Sequence, residues 1–175
     1  MHGPKDVIEV LKAQHDEIRA LLEKTRSWRG VNWHAFDDLT RLLAVHETSE
    51  EEVVYPAIRA TGAYGGRLAE ARAREEERAA LMVTELEGMG TAAFVPAFER
   101  LRAFVLAHAD AEETEVFAVL RTTHSPEELR SMARMLEVAV KAAPGRARGH
   151  RRRRARTGPA AAIEATVRDA IRQAS

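Results

Sequence analysis

The stretch His46-Glu47-Thr48-Ser49-Glu50-Glu51-Glu52-Val53-Val54-Tyr55-Pro56 decides how this chain folds. A histidine and a glutamate four residues apart lie one turn apart on a single face of a helix. Leu39 and Leu43 lead into that face, and Val53 and Ala57 continue it, so the pair interrupts an apolar stripe. Burying an imidazole and a carboxylate is costly unless something satisfies them, and a metal ion does so well. One such pair arises often by chance; other helices carry matching groups.

Two more apolar stripes are broken in the same way. Ile8, Leu11, His15, Ile18 and Leu22 recur at spacings of three and four, which predicts a first helix over about 6–27 with His15 on its buried face. Lys12, Asp16, Arg19 and Glu23 form its solvent face. Phe98, Leu101, Val105, His108, Glu112, Val116 and Val119 predict a helix over about 92–121 that repeats the His-x-x-x-Glu pair. The quoted stretch belongs to a helix over about 33–60, capped by Asn32, with Pro56 bending or nearly ending its last turn. Between these lies a helix over about 67–87, bounded by Gly65-Gly66 and Gly88, with Ala69, Ala73, Glu76, Ala80 and Val83 as its best stripe. Glu75 and Glu77 fall to either side of that stripe, towards solvent.

Four long helices with short connections imply an all-α, up-down-up-down antiparallel four-helix bundle. Ser125-Pro126-Glu127-Glu128 reads as a capping box with proline at the first position of an additional helix, packed through Leu129, Met132, Met135 or Leu136, and Val140. The expected organisation is a bundle with this fifth helix over 1–143, an Arg-rich flexible linker over 144–159, and a short C-terminal helix over 160–175 carrying Ile163, Val167 and Ile171.

Composition narrows the chemistry. With no cysteine, thiolate zinc sites, iron–sulfur clusters and disulfides are excluded, leaving histidine and carboxylate as metal ligands. Net charge is zero, but residues 1–143 hold 18 Lys/Arg against 25 Asp/Glu, while 144–159 add seven arginines and no acid. The basic run over 146–156 suits non-specific phosphate contact with nucleic acid, though without interleaved aromatics; a solvated linker or an arm on the acidic bundle explains it equally. No apolar run of about 20 residues and no leader-like N-terminus is present, so no membrane association and a cytoplasmic location are expected.

Antiparallel helices of similar length bring His15, His46, Glu50, Glu76, His108 and Glu112 to one level. Three imidazoles and three carboxylates suit two transition-metal ions with bridging carboxylates and open positions for a small ligand. Magnesium or calcium would want oxygen donors, and zinc stays among the alternatives. Against this stands the plainer reading of hydrogen-bonded core histidines, with Glu76 paired to Arg72 or Arg78. Tyr55 reads mainly as packing, and His2, His34, His124 and His150 as surface residues.

Gln14-His15-Asp16, His46-Glu47 through Glu50 to Tyr55-Pro56, and His108-Ala109-Asp110-Ala111-Glu112-Glu113 resemble the hemerythrin-like, or HHE cation-binding, family over about residues 5–121. The resemblance implies a four-helix bundle around two non-haem iron ions, oxo- or carboxylate-bridged (Fe-O-Fe), held by His15, His46, Glu50, Glu76, His108 and Glu112. Its expected partner is a diatomic molecule or peroxide: hydrogen peroxide turnover of a catalase-like kind is preferred, with oxygen or nitric oxide as alternatives. A non-catalytic binding or sensing module and a nucleic-acid-associated protein are the competing readings, in a monomer or homodimer. The family usually has a histidine on the third helix, whereas Arg74-Glu75-Glu76-Glu77-Arg78 has none. Alignment of Val83 and Leu86 puts Glu76 in its place, which implies a harder, more anionic site favouring the ferric state, or else a one-metal site. Glu47 is a spare ligand candidate.

Overall fold

The computed structural model describes residues 5–27, 30–144 and 159–175, and it is a helical bundle. α1 (Val7–Thr25) is followed by a two-residue antiparallel pair, β1 (Arg26–Ser27) and β2 (Gly30–Val31), and then by α2 (Trp33–Ser49). α2 runs through a π-helical segment, Glu50–Val54, into α3 (Tyr55–Ala60). α4 (Ala63–Glu87) returns, and α5 (Thr91–Ala111) passes through a second π-helical segment, Glu112–Val116, into α6 (Phe117–Thr123). α7 (Pro126–Ala142) and α8 (Pro159–Ala174) lie outside these four rods and pack on one another, α7 also against α1 and α8 also against α2.

The helix starts follow their side chains. Asp6 accepts from the Glu9 N–H at 2.9 Å while the Glu9 carboxylate accepts from the Asp6 N–H at 3.0 Å, satisfying two donors that the first turn leaves unpaired. Asn32 accepts from the Ala35 N–H, and Ser125 with Glu128 forms the box expected from the sequence. Gly65 and Gly66, by contrast, do not break the chain but sit in the first turn of α4. A Cβ on Gly65 would collide with the Ile58 carbonyl and the Thr61 hydroxyl, so glycine there lets α4 close onto α3. Gly62, with φ at 118°, makes the turn itself.

Apolar side chains form two separate cores. One, including Leu11, Val54, Tyr55, Ile58, Phe117, Leu120 and Leu136, lies towards one end of the bundle. The other, including Ile18, Leu22, Phe36, Leu39, Phe94, Phe98 and Leu101, lies towards the opposite end. The buried polar residues His15, His46, Glu50, Glu76 and Glu112 fall between them in sequence on every rod. A third cluster joins Ala44 and Val45 of α2 to Ala139 of α7 and to Ile163, Val167 and Ile171 of α8, the stripe the sequence marked. On α7 the stripe is displaced: Val140 is exposed, and Ala139 and Ala143 are buried instead, because this side faces α8 as well as the bundle.

Most of the Arg-rich segment, including 146–156, lies outside the described residues, as do His2 and His150. Among the described residues no helix is long and apolar enough to cross a membrane. Val167 is fully buried at the centre of the third cluster. Val167→Ala is expected to lower unfolding free energy by about 1–3 kcal/mol, the range for losing two buried methyl groups and leaving a partly collapsed cavity. A urea titration followed by circular dichroism reads this directly; an unchanged midpoint would mean that α8 is not part of the cooperative fold.

Candidate metal centre

The two π-helical segments begin on Glu50 and on Glu112. Their wide turn closes with the Tyr55 N–H donating to the Glu50 carbonyl and the Phe117 N–H to the Glu112 carbonyl, five residues back. One extra residue per turn rotates everything downstream. The sequence stripe has Val53, Ala57 and Val119 inside; they are only half-buried, while Val116 is buried as the stripe has it and Val54, Tyr55, Ile58, Phe117 and Leu120 take the rest of the interior. Pro56 lacks an N–H and so tolerates the widened turn after Glu50, but the second segment has no proline and forms equally. The legible signal is the pattern shared by both rods: buried apolar residues four, five and eight places beyond each glutamate.

This geometry brings the six candidate residues together. His15 comes from α1, His46 and Glu50 from α2 and its π-segment, Glu76 from α4, and His108 and Glu112 from α5 and its π-segment. His15, His46, Glu50 and Glu112 form one group whose ligating atoms lie within 4.8 Å of one another; Glu50, Glu76, His108 and Glu112 form a second. Glu50 and Glu112 belong to both. Glu47, the spare candidate, belongs to neither and lies in the wall of an adjoining cavity.

Each imidazole is aimed by a partner on its far nitrogen. His15 Nδ1 lies 3.0 Å from Glu113 Oε1, His46 Nδ1 2.9 Å from Gln14 Oε1, and His108 Nδ1 2.8 Å from Glu75 Oε2. These oxygens accept, so each Nδ1 carries the hydrogen and each Nε2 presents a lone pair to the centre. Burial alone would raise the Glu113 carboxyl, but hydrogen bonds from Arg19, His15 and Lys12 hold it down at about 2, an ionised acceptor. Arg72 Nη2 reaches Glu75 at 3.0 Å in a similar way. All three directly precede or follow a candidate residue; Gln14 and Glu113 have no separate role in the sequence reading, and Glu75, expected to face solvent, is half-buried at this task.

The inward atoms are crowded and unsatisfied. His15 Nε2 and His46 Nε2 stand 3.2 Å apart, two lone pairs facing each other. His46 Nε2 is 3.1 Å from Glu50 Oε2, and Glu112 Oε2 is 3.3 Å from His15 Nε2 and 3.4 Å from His108 Nε2. Both Glu50 oxygens, Glu76 Oε2, Glu112 Oε2 and His108 Nε2 are buried with no hydrogen-bond partner among the described residues. An uncompensated buried polar atom costs roughly 1–3 kcal/mol, and several aimed at one point are a standing penalty unless a cation sits among them. Spacings just above 3 Å also match neighbouring corners of a coordination shell with bonds of about 2.1 Å. The donor set, imidazole nitrogen and carboxylate oxygen without sulfur, suits first-row transition ions.

Protonation follows from the crowding. Burial, then the neighbouring His15, lowers His46 to about 3, so it stays neutral. Burial and the charges of Glu112 and Glu76 push Glu50 well above the ordinary carboxyl range; burial and the charges of Glu47 and Glu112 do the same to Glu76. Burial would also raise Glu112, but a hydrogen bond from His15, and then the charge that His108, His46 and His15 carry when doubly protonated, bring it to about 2. Tyr55, fully buried, places its hydroxyl against Glu76 Oε1 and 2.8 Å from Glu112 Oε1. It has one proton to donate to two carboxyl oxygens, so the sharing in the metal-free chain implies a proton on a glutamate. Burial and the adjacent Glu50, Glu112 and Glu76 carboxylates raise the Tyr55 hydroxyl well above its usual range, so it remains a donor. Tyr55 thus both fills the core and hydrogen-bonds the site.

Two outcomes follow. Glu75→Gln removes the charge that holds the His108 Nδ1–H and is expected to weaken metal affinity about 10–100-fold in a chelator competition. Metal binding also has to displace the protons held by Glu50 and Glu76. Their folded pKa values lie above the unfolded value of 4.5, so affinity rises with pH from that value upward through the raised pKa values. In the metal-free chain the same shifts remove stability as pH rises through that window, whereas the lowered His46 removes it as pH falls from 6.5 towards 3. Calorimetry in buffers of different ionisation enthalpy should register proton release on binding; none would contradict protonated Glu50 and Glu76.

A family model described as Hemerythrin HHE cation binding domain matches residues 6–120, which span all six residues of the cluster. No curated protein and no solved structure matches the chain.

Proposed function

The chain belongs to the hemerythrin HHE cation-binding family, and from that premise we propose that its buried cluster holds two non-haem iron ions and turns over a small oxidant, hydrogen peroxide by preference. The observation that carries this reading is the pair of overlapping four-residue groups sharing Glu50 and Glu112, with unsatisfied donor atoms aimed at both. His15, His46 and His108 would supply the nitrogen donors and Glu50, Glu76 and Glu112 the carboxylate oxygens, Glu50 and Glu112 being common to both groups.

When bound, iron supplies the two-electron cycle by which one peroxide is reduced to water and a second oxidised to oxygen. The chain's own residues set the conditions. Glu76 stands where the family usually has a histidine, so the second group has three carboxylates to one imidazole. Added negative charge favours the more oxidised metal, which suits redox turnover better than reversible oxygen carriage. The two apolar cores keep bulk water from either end of the site. Tyr55 holds a proton at the edge of the cluster, between Glu76 and Glu112.

Metal analysis of untagged protein by plasma mass spectrometry, with the visible spectrum, tests the centre. About two irons per chain and peroxide consumption lost in His46→Ala, with helical content retained, are the expected outcome. One iron would leave Glu76 outside the centre. Two irons with bound oxygen or nitric oxide but no peroxide loss would favour a binding or sensing module. No iron after anaerobic loading with ferrous ion would reject the reading.

A further inference from the structure

Beside the centre lies a cavity of about 420 Å³ between the outer side of α2 with its π-segment, α4 and α8. Six glutamates and three arginines line it, but two of those arginines are already engaged. Arg74 pairs with Glu70, and Arg168 bridges to Glu51 at 3.2 Å and to Glu52 at 2.7 Å. Glu47, Glu76, Glu77 and Glu164 therefore face the space against one further cation, Arg59. The four carboxylates are graded by depth: Glu77 is exposed, Glu47 and Glu164 are half-buried, and Glu76 is buried.

Acidic surface clusters are common and mean little alone. Here the innermost member is different, because Glu76 is 2 % exposed, lines this cavity, and keeps Oε2 buried without a hydrogen-bond partner among the described residues. It is also a member of the inner group with Glu50, His108 and Glu112. One side chain thus belongs both to the cavity wall and to the centre, and the donors lining the cavity before it are oxygens, mostly of carboxylates, with Thr48 beside them. Such oxygens suit a divalent cation that still carries water, whereas the histidines that would strip and hold it lie beyond Glu76.

We propose that this cavity is the path by which divalent cations reach the centre, with Glu77, Glu164 and Glu47 drawing in the hydrated ion and Glu76 receiving it. The path rests on the reading of the centre as a metal site. Six waters at about 30 Å³ each fill about 180 Å³, so the space admits an ion with its hydration shell intact. α8 then has a task beyond covering apolar surface. Its Ile163, Val167 and Ile171 dock it, Arg168 and Arg172 pin it to Glu51 and Glu52, and Glu164 is thereby held over the cavity as part of its wall.

Stopped-flow mixing of the metal-free full chain with cobaltous ion, followed by its visible bands, tests the path, with bound cobalt counted afterwards by plasma mass spectrometry. Glu164→Gln combined with Glu77→Gln is expected to slow uptake about three- to tenfold, the scale set by removing two charges near a divalent ion in a partly solvated cleft. The final cobalt content should stay at the wild-type value, and the fall in rate with added salt should be shallower. Glu137→Gln on α7, away from the cavity, should leave the rate unchanged. An unaltered rate in the double variant, an equal slowing by Glu137→Gln, or a loss of bound cobalt would each overturn the path. If the wild-type chain takes up no cobalt and no iron, the centre itself fails, and that result is distinct from normal loading at an unchanged rate.

Discussion

Three imidazole lone pairs and three glutamates meet in the buried middle of this bundle, closer together and with fewer hydrogen-bond partners than buried polar groups ordinarily have. His15 and His46 face each other through their Nε2 atoms at 3.2 Å, and their Nδ1 hydrogens are already committed to Glu113 and Gln14. Protonating one ring would relieve that contact, yet burial and the second histidine hold His46 neutral. A proton on Glu50 can be donated to the His46 Nε2 lone pair at 3.1 Å, but Glu76 Oε2, Glu112 Oε2 and His108 Nε2 stay buried without a hydrogen-bond partner among the described residues. A cation among these atoms would resolve all of these conflicts at once, so the cluster fits a metal-binding site.

The rest of the structure is arranged around that layer. Every rod carries apolar residues on both sides of its polar ones, so the core is split in two and the layer is sealed from both ends. Packing fixes the height of the rods, while a shell of Gln14, Glu75 and Glu113, the two acids steadied by arginines, fixes the direction of the rings. The π-segments do a third job. By widening one turn after each paired glutamate they roll Tyr55 beneath the carboxylates and stack Phe117 on His15 at 5.8 Å. Because both rods carry the same device, the two halves of the site are built alike, and they differ mainly in the second group's Glu76, where the sequence has no histidine to offer.

Charge organises the periphery as well. The acids that follow Glu50 are not idle surface: Glu51 and Glu52 anchor Arg168 and Arg172, and so fasten α8 against α2. Individual exposed ion pairs contribute little, but here they accompany the burial of Ile163, Val167 and Ile171, which supplies the free energy of docking. Electrostatics sets where the helix lies along α2; apolar burial keeps it there.

Periodicity alone determined the all-α bundle, the extra C-terminal helices and the inward placement of His15, His46, Glu50, Glu76, His108 and Glu112, because an apolar stripe with a spacing of three and four has only one buried side. Its reach ended where geometry departs from 3.6 residues per turn. The one-residue shift after Glu50 and Glu112, the burial of Ala79 and Ala139 in place of Ala80 and Val140, and the role of Glu75 all depend on which neighbour a helix meets and at what rotation. Gly65 shows the same limit, reading as a breaker in the sequence and serving as a contact point between α3 and α4. The sequence determined which residues lie on each buried face. Only the tertiary structure decided which atoms of those residues meet, because hydrogen-bond direction and ångström-scale separation are properties of packed helices and not of the order of residues along one.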